Sequence, residues 1–224
     1  MKKWIFYIAV ILSISSGLAK AHPEEEKAVG KYAQVNESLH LAAKQGDATA
    51  QNKLGEIFLH GQGVTQDTSE AVKWFQLAAK QGLDNAQFNL GVSYGNGQGI
   101  TQNYQDAVKW FRSAAEQGHA KAQFSLAISY AIGQGVAQNY QEAIKWFRLA
   151  AEQGDVVAQH ILGGIYLDGK IVAQNYPEAV KWLQMAAKQG HSNAQFKLGV
   201  SYGNGQGVTQ NDQEAVKWFR SAAE

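Results

Sequence analysis

Leucine returns every 36 residues along this chain, at Leu54, Leu90, Leu126, Leu162 and Leu198. Tryptophan keeps the same step at Trp74, Trp110, Trp146, Trp182 and Trp218, and so do Phe58, Tyr94, Tyr130, Tyr166 and Tyr202. Within one period Ala86, Leu90 and Tyr94 stand four apart, which places them on one face of a first helix. Ala107, Trp110, Phe111, Ala114 and Ala115 form the stripe of a second helix, with Lys109 and Arg112 outside it. The second helices open on a capping signature: Asp67 with Glu70, Asn139 with Glu142, Asn175 with Glu178 and Asn211 with Glu214. Pro177 falls in a first turn, where its missing N–H costs nothing.

Glycine marks the breaks in this pattern. Gly95, Gly97 and Gly99 are expected to end the first helix in left-handed conformation, and Gly46, Gly82, Gly118, Gly154 and Gly190 to stop the second helices. Gly91 is different. Inside an exposed helix it would cost about 1 kcal/mol against alanine, so it implies a neighbour too close for a methyl group. Gly55, Gly163 and Gly199 repeat it, with Ala127 as the one substitute. In the fourth period Lys170-Ile171 replaces the usual Gln-Gly; isoleucine resists positive φ, so that turn must differ.

A period of this length over most of a chain predicts an all-α solenoid, a right-handed superhelix of stacked helix-turn-helix units. No single pair can bury both faces, so neighbours must stack into a continuous core. The expected units are 47–82, 83–118, 119–154, 155–190 and 191–224, preceded by a capping helix within 31–46. The last unit stops before its Gln-Gly signal and keeps its apolar pattern to the end. Truncation of the array or cover by another molecule would each explain that. The expectation is a monomer unless this uncovered unit stacks.

Composition adds compartment. Residues 1–21 have the form of a secretory signal: Lys2 and Lys3, the apolar run Trp4 to Leu12, then Ala19-Lys20-Ala21 for cleavage. The apolar run is short for a membrane anchor, which needs about 20 residues. Cleavage would take the net charge from +1 to −2 and leave an acidic segment over 22–30, beginning His22-Pro23-Glu24-Glu25-Glu26. The chain is expected to be exported, periplasmic or secreted, and free of the membrane after cleavage. It has no cysteine, hence neither disulfide nor lipid attachment. A charge so near zero supplies no field for nucleic acid.

The run Asp84-Asn85-Ala86-Gln87-Phe88-Asn89-Leu90-Gly91, followed by Tyr94-Gly95-Asn96-Gly97-Gln98-Gly99, Asp106-Ala107-Val108-Lys109-Trp110-Phe111 and Ala114-Ala115-Glu116-Gln117-Gly118, resembles the Sel-1-like repeat. That family is a branch of the tetratricopeptide-like helical repeats. The resemblance implies a curved superhelix whose inner surface, lined by first helices, binds other proteins. Relatives act as adaptors in signalling, envelope and host-contact roles. A cysteine-rich subgroup is linked to penicillin binding and weak β-lactamase activity, but the paired cysteines that mark it are missing here.

Candidate chemistry is sparse. The fourth unit is the most individual, with His160, Asp168 and Lys170. His160 and Asp168 stand eight residues apart on one helix, about 12 Å, too far for a base and its orienting carboxylate. The six histidines show no His-x-x-x-His spacing, and Gly95-Asn96-Gly97-Gln98-Gly99 lacks the strand and the Gly-Lys-Ser/Thr ending of a phosphate loop. No catalytic residue, cofactor site or metal site is expected, and the chain is read as a binding protein, not an enzyme; the alternatives are a secreted host-interaction factor or, from the resemblance alone, a weak β-lactam- or cell-wall-acting enzyme. The candidate peptide-binding stripe is Asn52, Phe88, Phe124, His160 and Phe196, joined one turn on by Val92, Ile128 and Val200. It is read either as the floor of a concave groove for an extended or helical peptide or as filler between adjacent units.

Overall fold

The structure, a computed structural model, describes residues 37–224. The expected signal peptide, the acidic segment and the start of the capping helix lie outside the described residues. Eleven helices and no strand occur among the described residues: α1 over 37–44, α2 (Ala48–His60), α3 (Thr68–Lys80), α4 (Asp84–Asn96), α5 (Tyr104–Glu116), α6 (Ala120–Ile132), α7 (Tyr140–Glu152), α8 (Val156–Asp168), α9 (Tyr176–Lys188), α10 (Ser192–Asn204) and α11 (Asp212–Ala223). From α2 to α11 each helix packs against its successor in sequence. The result is an α-solenoid of helix pairs.

Helices α2 to α10 run 13 residues each. At about 20 Å they are too short to persist alone. Stacking makes them stable. The five periodic leucines are all at most 3% exposed, and burying each contributes about 1.5–3 kcal/mol. One unbroken cluster runs from Val108 on α5 through Leu126, Trp146 and Leu162 to Trp182 on α9. The core therefore belongs to the array.

The second helices start on the expected caps. Asp67, Asn139, Asn175 and Asn211 each accept from the backbone N–H three residues on, and Asn103 does the same for Asp106. The reciprocal half of the capping box does not form. Each cap residue's own N–H donates instead to the carbonyl of the periodic aromatic of the preceding helix, as Asn103 does to Tyr94 at 2.9 Å. The freed carboxylates pair with lysines one turn on, for example Lys109 with Asp106 at 2.9 Å. These pairs are exposed and contribute little.

The first helices end two residues later than the sequence suggests. Gly95 lies within α4, and Gly97 takes the left-handed cap with φ 68°. Gly99 follows with φ 76°, and a Cβ there would collide with the Thr68 carbonyl of the preceding unit. In the fourth unit the cap is Gly169, while Ile171 keeps negative φ like every non-glycine among the described residues. That turn is thus the one built differently.

Two further ladders bind the units. Gln51, Gln87, Gln123, Gln159 and Gln195 are buried, and each donates its side-chain N–H to the carbonyl eight residues back, as Gln123 does to Ala115 at 3.2 Å. The first four also accept from the glutamine of the helix stop thirty residues on, as Gln123 does from Gln153 at 2.7 Å. On the other side Arg112 donates to the Tyr130 hydroxyl and Arg148 to that of Tyr166, both at 2.6 Å.

Candidate functional site along the first helices

The candidate stripe comes from one position of each first helix, so the 36-residue repeat sets it along α2, α4, α6, α8 and α10. Its members are not equivalent. Phe88 is half-buried, tilted on Phe111 at 6.0 Å and stacked on the His119 ring at 4.7 Å. Phe124, also half-buried, meets Phe147 edge-on at 5.7 Å. Phe196 lies 5.6 Å from Phe219 and is 57% exposed. His160 stacks on His191 at 4.5 Å. Asn52 is buried and spent on structure: it accepts from Asn89 and donates to Glu56, each at 3.0 Å. Val92, Ile128 and Val200 are half-buried one turn further on.

Each phenylalanine thus rests on the second helix of its own unit, Phe88 and His160 also meet a histidine of the next unit, and the stripe keeps accessible surface. Two clefts open beside them, each of about 340 Å³. One lies against Phe88 and is lined also by Asn85, Asn89, His119, Lys121 and Glu56. The other belongs to the fourth unit, where His160, Ile161, Ile165 and Ile171 form its walls together with Gly164. Asp168, Lys170 and Lys197 complete its lining.

The joints on either side of these clefts use histidine as a helix cap. His119 Nδ1 accepts the N–H of Ala122 at 3.1 Å, and His191 Nδ1 that of Ala194 at 3.2 Å. Each imidazole lies over the stripe residue of the preceding unit, so the cap also closes the joint. Burial holds the pKa of His119 below the usual histidine value, with Asp84 pulling the other way. His160 is held low first by burial, then by the neighbouring His191 and Lys197 charges. Its Nε2 is buried with no hydrogen-bond partner. Although His160 and Asp168 line one cleft, no hydrogen bond joins them, and the arrangement offers no base–carboxylate pair.

Sequence reading missed the glutamine ladder and the histidine caps. It also passed over Gly164, which stands where the other units carry Glu56, Val92, Ile128 and Val200. The signal was present in that one aligned position.

Short stacked helix pairs, a shared core and accessible rings on the first helices define a repeat scaffold that offers surface. The chain belongs to the Sel1 repeat family, which matches residues 48–83, 84–119, 120–155, 156–191 and 192–224. Proteins of this family are in general non-enzymatic scaffolds for protein–protein contact. Among solved structures, the chain is similar to a protective antigen of uropathogenic Escherichia coli with an SLR fold, at 40% identity and TM-score 0.80, covering 84% of this chain. It spans 40% of the length of that protein. It is similar also to a Sel1 repeat protein of Oxalobacter formigenes, at 36% identity and TM-score 0.76, covering 85% of this chain and 84% of the other. No curated protein matches the sequence.

Proposed function

We propose that the chain is an exported, periplasmic scaffold that holds a partner protein or peptide along its first-helix face. The observation that carries this reading is the accessible aromatic stripe at array spacing, with a cleft beside Phe88 and another beside His160. An apolar floor with polar edges suits an extended or helical peptide. Capture from an envelope extract by the wild-type chain and by a folded Phe88→Ala/Phe124→Ala variant tests it. The expected result is loss of a specific partner by the variant. Equal recovery would remove the groove.

Likeness to a protective antigen favours a second reading, a factor displayed to or released toward a host. Fractionation into periplasm, outer surface and medium separates the two addresses. The export itself rests on residues 1–21, and its test is the mature N-terminus: His22 is expected.

A further inference from the structure

The fourth unit departs from the array at several positions that meet in one place. Gly164 removes the side chain that Val92, Ile128 and Val200 supply elsewhere, and the cleft occupies that place. Three isoleucines, Ile161, Ile165 and Ile171, line it where the fifth unit has Lys197 and Ser201 on its helix and Gly207 in its turn. Lys197 reaches in from α10: its Nζ lies 3.2 Å from where a Cβ on Gly164 would stand. Neither Lys197 nor Lys170 has an ion pair or hydrogen bond among the described residues, whereas six other lysines are paired with carboxylates.

We propose that this cleft receives the free carboxyl terminus of a partner polypeptide whose last residue is aliphatic. The proposal deepens the groove reading and rests on it. An apolar recess confined to one unit takes one side chain, not a long segment. The unpaired Lys197 ammonium beside it takes one carboxylate, with a charge-assisted bond. Val, Leu or Ile at a chain end carries both groups on one carbon. Asp168 argues against an acidic tract, because successive carboxylates would meet its charge; it can instead accept a backbone N–H of the incoming peptide. Lys170 adds a second cation at the same cleft.

The test uses fluorescence anisotropy on the whole chain with hexapeptides ending in Val, Leu or Ile, each as free acid and as amide. The free acid of at least one is expected to bind tenfold or more tightly than its amide. Gly164→Val and Lys197→Asn should each abolish that difference. Both substitutions install residues that other units carry at the same position, Val92 and Asn89, so folding should survive, as a thermal melt will show. Equal binding of acid and amide, no binding by any free acid, or unchanged discrimination in Gly164→Val would overturn the proposal. So would N-acetylvaline binding as tightly as the peptide, which would mean that no polypeptide is needed. The Phe88→Ala/Phe124→Ala variant keeps this cleft. If it loses the envelope partner while the peptide test fails in the wild-type chain, only the carboxylate receptor falls and the groove stands.

Discussion

At the scale of single residues, the helix-interior glycines divide by what faces them. A Cβ on Gly91 would lie 2.6 Å from Phe111 Cδ1, and one on Gly163 would lie 2.6 Å from both Leu183 Cγ and Cδ2. The phenylalanine can answer by turning. The third unit carries alanine at this position, Ala127, with Phe147 as the equivalent ring. Leu183 has less room, because its branch carbon is itself the obstacle and the side chain is fully buried. Gly91→Ala should therefore stay within about 1 kcal/mol of wild type, the clash being offset by helix propensity. Gly163→Ala should lose about 1–3 kcal/mol to overpacking. Denaturant midpoints of the two variants decide it, and the reverse order would refute the account. Similar reasoning applies to the ladder: Gln123 is 4% exposed with both side-chain groups engaged. Gln123→Leu should cost about 1–2 kcal/mol, and Gln153→Ala clearly less, since Gln153 is exposed and water replaces its partner.

At the scale of elements, the joints between units are where acid should act. Burial lowers the pKa of His119 and His160, and the groups facing them are Asp84 and Lys121 for the first, His191 and Lys197 for the second. In the unfolded chain a histidine takes its proton near pH about 6.5. With folded values below that, the unfolded chain binds more protons in the interval between, so stability is full above pH about 6.5 and is lost as pH falls through the folded values. The urea midpoint should be lower at pH 5 than at pH 7. His160→Phe, which restores the residue of Phe88, Phe124 and Phe196, should narrow that gap, and an unchanged gap would clear His160 of the effect. These joints also mark how far the sequence could be read. Helix existence was legible because Leu, Trp and Tyr positions are apolar and periodic. The His119 and His191 caps were not, because a histidine before a helix reads as an exposed residue until its ring is seen over Phe88 or His160. Gln87 and its equivalents were illegible for a related reason: a polar side chain gives no sign that its partner lies one unit away. Gly95 misled because a glycine inside a helix and a glycine ending one are the same letter.

At the scale of the whole molecule, stability should depend on where along the array a fault lies. Leu126 and Leu198 occupy equivalent positions and are both 0% exposed. Truncating either to alanine removes the same atoms and costs about 2–5 kcal/mol locally. What differs is the number of neighbours. Leu126 sits in the cluster that joins α5 through α9, with units on both sides, whereas Leu198 belongs to the smaller cluster shared by α9 and α10. In a structure held by nearest-neighbour contacts, a weak terminal unit frays and leaves the others intact, while a weak central unit separates the array into two shorter stacks. Hydrogen exchange resolved by peptide reads this directly. Leu198→Ala should lose protection over 192–224 and little elsewhere. Leu126→Ala should lower protection over 84–191, and its urea transition should broaden or split. Uniform loss of protection in both variants would mean that the chain unfolds as one block, and the units could not then be treated as separable modules with one cleft altered independently of the rest.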